Sequence, residues 1–340
     1  MIRAAVIGYG YWGPNIVRNF LGSGAIDLVA VCDRSPRQLA RVREAYPALR
    51  TTEDPGEIFS DPTIDAVAVI TPVDTHYALA SAALRADKHV WIEKPITASV
   101  EEARRLCDLA DQREKVLFVD HTFIYTGAVQ KLRELVSQGE LGKLVCYDSV
   151  RSNLGLYRPD VNVLWDLAVH DVSIVDYAFG QRVTAVSATG VANVPGLPES
   201  SAFMTAYLEG GAIMHVHADW FAPTKERTTT ITGDRKMIVY DDNEPVEKVR
   251  VWDRGVDVTP AADGRRPVIA YRDGPATAPP LSKVEALAEA ARNFAGSVAS
   301  GERPLTDGAL GLRVAEVLES AMESVRGRGR PVELSRGEPW

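Results

Sequence analysis

Lys94 follows the apolar run Val90-Trp91-Ile92 and sits between Glu93 and Pro95. Pro95 restricts the backbone of the residue before it, so the amine at this strand tip is fixed in direction and available to a crevice rather than to bulk water. A second pair is Asp166 and His170, at i and i+4 in the stretch VNVLWDLAVHDVSIVDYAFG. On a helix such residues lie one turn apart on one face. A carboxylate beside an imidazole favours the imidazolium form, raises its pKa and orients the ring, which suits a proton acceptor. Asp171 competes for the same carboxylate role. The third group is Gly8-Tyr9-Gly10-Tyr11-Trp12-Gly13, a G-x-G-x-x-G run able to bring backbone N–H groups against phosphates.

These groups need elements to hold them. The glycine run follows the apolar stretch Ala4-Ala5-Val6-Ile7 and precedes helical spacing over residues 15–21. Asp33 stands 20 residues after Gly13, at the end of the apolar run 28–32. That is the context in which the motif binds a dinucleotide. Gly8 permits the tight turn, Gly10 lets the backbone approach a pyrophosphate, and Gly13 lets helix and strand pack closely, with Tyr11 and Trp12 completing the loop. Asp33 accepts hydrogen bonds from ribose hydroxyls and repels a 2′-phosphate, which favours NAD over NADP; Arg34 beside it would soften that preference. Apolar runs at 4–7, 28–32, 66–70, 90–92 and 116–119 alternate with helical spacing at 15–21, 37–46, 76–86 and 99–114. Ser99 and Glu102 open the last of these helices at capping-box spacing. The alternation, with continuously apolar strands, predicts a parallel sheet buried on both faces and an α/β Rossmann domain over residues 1–120. Ligands of such sheets bind beyond the C-terminal strand ends, so Gly8, Asp33, Thr71-Pro72 and Glu93-Lys94 should line one crevice, with Lys94 at the nicotinamide end.

The pattern changes after Asp120. A helix over 127–137 leads into strand candidates at 143–151, 183–191, 201–208, 212–220, 227–232 and 236–240, separated by Gly, Asp and Pro signals. Consecutive strands with few helices predict an antiparallel sheet and an α+β domain over residues 121–340. Residues 244–280 are charged and rich in Pro and Gly, predicting short edge strands and loops. Ser282 and Glu285 form a further capping box before a helix to about residue 300, and a last helix spans about 309–325. His215 and His217 alternate on a strand and share a face, near Trp220-Phe221, a candidate subunit contact.

The chain has 340 residues, 46% of them apolar, and a net charge of −8. That length and content suit two domains. An acidic chain without basic blocks excludes nucleic acid and anionic membrane as natural partners, and no apolar run approaches a bilayer span. The N-terminus enters a strand at once, with no targeting segment expected. Cys32, Cys107 and Cys146 are scattered and odd in number, which suits a reducing cytoplasm and offers no metal spacing.

Taken together, GYGYWG (8–13), TPVDTHYALA (71–80), EKP (93–95), WDLAVHD (165–171) and the tail GERPLTDGALGLRVAEVLESA (301–321) resemble the Gfo/Idh/MocA family of nicotinamide-dependent oxidoreductases over essentially the whole chain. The resemblance implies a Rossmann domain, a second domain built on a large, mostly antiparallel open sheet, and final helices that return towards the Rossmann domain. It implies hydride transfer between NAD(P) and a hydroxyl carbon of a sugar, inositol or related compound. The family's catalytic lysine falls on Lys94, its aspartate and histidine on Asp166 and His170. Its cofactor contacts fall on the glycine loop, Asp33, Thr71, Pro72, His76 and Glu93. A homodimer or homotetramer through the sheet face is expected by the same analogy.

The run RSNLGLYRPDVNVLWDLAVHD looks like the branch acting at the 3-position of nucleotide-linked or amino sugars. Arg151, Asn153, Tyr157 and Arg158 precede the catalytic helix; arginine can clamp phosphate and tyrosine can stack on or bond a sugar. His121 is a further substrate candidate. Alternatives are an inositol or free-sugar dehydrogenase, a 3-ketosugar reductase of deoxysugar assembly, and an NAD-binding regulator. Some reductases of the family carry a tyrosine in place of the histidine, so His170 leans towards alcohol oxidation.

Overall fold

The computed structural model describes residues 1–155, 157, 161–260 and 266–334. In chain order the elements are β1 (Ile2–Ile7), α1 (Gly13–Gly22), β2 (Ile26–Cys32), α2 (Pro36–Ala45), β3 (Arg50–Thr52), α3 (Pro55–Phe59), β4 (Ala66–Val69), α4 (His76–Arg85), β5 (His89–Glu93), α5 (Val100–Gln112), β6 (Leu117–Asp120), α6 (Gly127–Ser137), β7 (Leu144–Leu154), α7 (Val169–Ile174), β8 (Val183–Val191), β9 (Ser201–Leu208), β10 (Ile213–Asp219), β11 (Phe221–Gly233), β12 (Met237–Asp241), β13 (Val249–Thr259), β14 (Val268–Thr277), α8 (Ala286–Ser300), α9 (Gly308–Arg326) and β15 (Val332–Glu333). The chain divides into two compact units, one of Met1–Thr126 with Val284–Glu316, the other of Gly127–Lys283 with the chain from Val317 on. The division falls inside α9.

Among the described residues the first unit holds a six-stranded parallel sheet in the order β3-β2-β1-β4-β5-β6. This is the doubly wound Rossmann order, in which the strand sequence reverses beside β1. The central strands are apolar over most of their length because both faces are covered, and Ala4, Ala5, Val6, Val67 and Val90 have no exposed surface. Trp91 anchors this core: it stacks on Phe118 with centroids 4.1 Å apart and meets Phe20 and Phe294 edge-on at 5.2 and 5.7 Å. Phe294 comes from α8, far along the chain. The open edge at β6 is covered as well. Val119 donates to the Thr306 carbonyl at 2.8 Å, and Phe118 forms an antiparallel bridge with Asp307.

Ser99 caps α5 as its sequence suggests, accepting from the Glu102 N–H at 3.3 Å. The second expected capping box does not form. Helix α8 begins at Ala286 with Glu285 as its N-cap. The Glu285 carboxylate instead takes a two-pronged bond from Arg18 at 2.6 and 2.9 Å and one from Asn19, which hold its pKa down at about 2. A long-range ion pair has displaced a local cap.

The second unit is built on a nine-stranded sheet, among the described residues, in the order β14-β13-β12-β11-β7-β10-β9-β8-β15. It is antiparallel except where β7 and β10 pair in parallel. Burial alternates along β9 and β10, with Ala202, Met204, Ala206, Met214, Val216 and Ala218 inside and Phe203, Tyr207 and Ile213 outside, the period-2 signature of a sheet covered on one face. Residues 244–280 depart from expectation. The described residues of this stretch include two long strands, β13 and β14, where short strands and loops were expected. The charges that read as loop composition are cross-strand partners: Arg254 bonds Asp273 at 2.6 Å, and Arg272 bonds Asp253 at 2.9 Å and Asp257 at 2.6 Å.

Candidate active site

One group of candidate residues is in the loop between β1 and α1. Gly8 has φ +103°, and a Cβ there would stand 2.2 Å from the Ile70 carbonyl oxygen. Only glycine fits such a backbone at that distance. A Cβ on Gly13 would meet the Gly8 oxygen at 2.5 Å, whereas one on Gly10 would meet nothing within 4 Å. The loop therefore closes on itself at Gly8 and Gly13 and leaves open space at Gly10. Helix α1 starts there without a side-chain cap, so no carboxylate or hydroxyl competes for its N-terminus. The Asp33 carboxylate is drawn over the loop by two backbone donors, Tyr9 at 2.7 Å and Ser35 at 2.8 Å. Arg34 and Tyr11 are exposed and Trp12 is half-buried. An open cradle, an uncapped helix start and a carboxylate held over the loop fit a dinucleotide, and Asp33 in this position fits NAD.

Strands β4, β5 and β6 end on the same side of the sheet. His76 is buried, its Nδ1 2.9 Å from the Pro95 carbonyl and its Nε2 2.9 Å from that of Thr71. It ties the β4 and β5 ends together, a strut for the segment carrying Lys94. Thr71 accepts a hydrogen bond from Thr75 at 2.7 Å, and Pro72 is exposed. Lys94 is half-buried one residue past β5.

Beside it the structure assembles a pair of acids. Glu93 and Asp120 are partners in the parallel pairing of β5 with β6. Burial and the neighbouring Asp120 push the Glu93 pKa well above the usual carboxylate range. Burial pushes Asp120 up to about 6, against the Thr122 hydroxyl at 2.7 Å, the Trp12 indole, Glu93 and the Lys94 charge, all of which favour its ionised form. His121, next along, is 1% exposed, and neither ring nitrogen has a hydrogen-bond partner among the described residues. Burial and then Lys94 push its pKa down to about 3, so it is neutral. Sequence reading missed Asp120. The signal was present: an acid terminating an apolar strand, in the same relation to its strand as Asp33.

A separate group of candidate residues lies in the other unit. Residues 163–179 are helical throughout, with π-helical turns at Leu164–Ala168 and Val175–Phe179 on either side of α7. Such turns are rare and concentrate at functional sites. Asp166 lies in the first and His170 on α7; both are half-buried. Trp220, 1% exposed, donates its indole N–H to Asp166 Oδ2 at 3.1 Å. Trp220 is thus an internal support, and the surface contact expected of Trp220-Phe221 is left to Phe221, which is 61% exposed.

Asp171 is fully buried and accepts from Tyr147 and Ser149, each at 2.9 Å, and from Arg151 Nε at 2.5 Å. This separates the two candidate carboxylates: Asp171 is saturated by structural donors. Arg151 is 2% exposed. Burial opposes its charge, but the Asp171 carboxylate more than compensates and raises its pKa. Its expected role as a phosphate clamp gives way to a buried structural pair. Asn153 accepts from Arg227 at 2.7 Å. Tyr157 places its ring 5.9 Å from that of Trp220, and its buried hydroxyl has no hydrogen-bond partner among the described residues. Arg158 lies outside the described residues. His215 bonds Thr205 at 3.0 Å and His217 stacks on Phe203 at 4.4 Å, both on the outer sheet face. Among the described residues no three His, Cys, Asp or Glu side chains are grouped to hold a metal, and no helix is long and apolar enough to cross a membrane.

Comparison with known proteins agrees with the fold and with a dinucleotide cofactor. Residues 2–121 match a family described as "Oxidoreductase family, NAD-binding Rossmann fold", and residues 129–239 match the GFO/IDH/MocA C-terminal domain. The chain is 28% identical to UDP-N-acetylglucosamine 3-dehydrogenase of Acidithiobacillus ferrooxidans over 92% of its own length and 94% of the other's. The solved structure of that enzyme superposes with a TM-score of 0.80 at 25% identity, covering 96% of this chain and 98% of that one. Two further relatives align over shorter stretches. The uncharacterized oxidoreductase YdgJ of Escherichia coli is 33% identical over 48% of this chain and 46% of its own. Myo-inositol 2-dehydrogenase of Thermotoga maritima is 28% identical over 56% and 58%. The chain thus spans about half the length of these two relatives and nearly all of the first.

Proposed function

The chain belongs to the Gfo/Idh/MocA family of NAD-binding oxidoreductases, and from that premise we propose that it oxidises or reduces the 3-position of a nucleotide-linked sugar or amino sugar. The carrying observation is Lys94 at the C-terminal tip of β5, on the same sheet end as the open loop at Gly10 and the Asp33 carboxylate. The glycine loop, Asp33, Thr71, Pro72 and Glu93 hold the cofactor in this reading. Bound nicotinamide supplies the hydride acceptor or donor. His170 takes the hydroxyl proton at a ring nitrogen in the oxidative direction and returns it in the other. Lys94 donates to the carbinol oxygen as negative charge develops there. Asp166, itself held by the Trp220 indole, orients His170. Near-full-length similarity to the UDP-N-acetylglucosamine 3-dehydrogenase supports the substrate class. Tyr157 and His121, whose buried polar atoms lack hydrogen-bond partners among the described residues, are the proposed sugar contacts, with Asn153 a third. The outer face bearing Phe203, Tyr207 and Ile213 is proposed to pair with a second copy of the chain, in a cytoplasmic enzyme.

The test is NADH absorbance with a panel of nucleotide sugars, free sugars and inositols, each with NAD and NADP. Turnover of a nucleotide sugar to its 3-keto product supports the reading. Turnover confined to inositols or free sugars overturns the substrate class, and NADH binding without turnover of any of them overturns the enzymatic one. Within the same assay, Asp33→Asn should raise the NADP:NAD ratio of kcat/KM by ~10-fold or more, since it removes the like charge facing a 2′-phosphate.

A further inference from the structure

Two buried acids stand beside Lys94, and the hydride-transfer scheme gives their pairing no role. Glu93 and Asp120 face each other across adjacent parallel strands, within hydrogen-bonding reach. Glu93 Oε2 and Asp120 Oδ2 are buried, and neither accepts a hydrogen bond from the described residues. Two ionised carboxylates have no donor to offer each other, and two like charges so close in a buried site cannot both persist. One proton between them supplies the missing donor. The pair then carries a single negative charge, and the titratable groups facing it are Lys94 from the end of β5 and His121 from the end of β6. His121 is neutral, so Lys94 is the cation that this charge meets.

We propose that Asp120 is a positioning residue: together with Glu93 it forms a proton-sharing acid pair whose one negative charge holds the Lys94 ammonium group aimed at the substrate oxygen. The inference rests on the reading of Lys94 as the residue that bonds the reacting oxygen. Thr122 completes the device, since its hydroxyl donates to Asp120 at 2.7 Å and favours the ionised form.

The direction of the pH effect follows from Asp120, whose folded pKa is raised to about 6. Above that value the pair carries its charge. As pH falls through it the pair becomes neutral, Lys94 loses its counter-charge and kcat declines. Asp120→Asn should therefore displace the acidic limb of the kcat profile and lower kcat, with little change in the KM for NAD. Either carboxylate alone can ionise and supply the charge, so the double variant Glu93→Gln with Asp120→Asn should lose at least ~10-fold more than the product of the single losses. Thr122→Val, a nearly isosteric change, should move the acidic limb to higher pH, and it decides the matter if the Asp120 variants fail to fold.

Infrared difference spectra taken across the pH range, with and without NADH, give a readout independent of turnover. The wild type should keep a protonated-carboxyl band at neutral pH that Glu93→Gln removes. That band separates failure of the acid pair from failure of the sugar-oxidation reading, because it requires no substrate. The proposal is overturned if the single losses simply multiply and the acidic limb stays in place in both Asp120→Asn and Thr122→Val, or if no protonated carboxyl is present at neutral pH.

Discussion

Lys94→Ala is expected to lower kcat by about 100- to 1,000-fold, the usual loss when one preorganised donor to a developing oxyanion is removed, while NADH affinity stays close to wild type. The reasoning is geometric. The residues shaped for a dinucleotide are the loop at Gly8, Gly10 and Gly13 and the carboxylate of Asp33, all at the ends of β1 and β2. Lys94 stands two strands away from β1, past β5, beside the acid pair. Its removal should leave the cradle intact and take away the charge that the reacting oxygen meets. Lys94→Arg should rescue little, because a planar guanidinium presents its donors in a different geometry from a compact ammonium. Steady-state kinetics with NADH binding by fluorescence checks both halves. Collapse of NADH affinity with turnover retained would make Lys94 a cofactor ligand instead.

Asp171→Ala is expected to cost about 3–5 kcal/mol of folding stability, the range for a buried ion pair deprived of one partner. Arg151 would be left charged at 2% exposure, and the Tyr147 and Ser149 hydroxyls would lose their common acceptor. Replacing both charges with apolar side chains, Asp171→Leu with Arg151→Met, should recover a large part of that loss, since the cost lies in the uncompensated charge. Urea unfolding of the two single variants and the double measures the effect. The same series separates two roles for Arg151. A phosphate clamp, once removed, would raise the substrate KM and leave stability alone, whereas the buried pair predicts the opposite.

The first unit was legible because its signals are local. A strand, three glycines and an acid at fixed spacing need no distant partner to be read, and both faces of the sheet are covered, so the strands are plainly apolar. Where charges were concerned, local reading went astray. Arg254, Arg272 and their aspartates looked like loop composition because the cross-strand partners that pair them are 15 to 19 residues away. Glu285 had a capping-box spacing, yet an arginine 267 positions earlier claims it. Arg151 and Asp171 each looked like site residues when considered singly, since nothing in the sequence states that they neutralise one another. Asp120 was missed for the converse reason: its meaning comes from Glu93 on the next strand, and strand adjacency is a property of topology, not of sequence.

The strip at Thr306 and Asp307 that lies along β6, with Phe294 closing over Trp91, has a consequence for how the protein is made. A ribosome delivers the six strands long before it delivers their cover. Until the chain has passed about residue 308, the nascent nucleotide-binding half exposes an unpaired β edge and an unshielded indole, features that invite association with neighbouring chains. A truncated or split version of the gene therefore has to carry α8 and the start of α9 along with the first 126 residues, and a circular permutant that joins these pieces early would shorten the vulnerable interval.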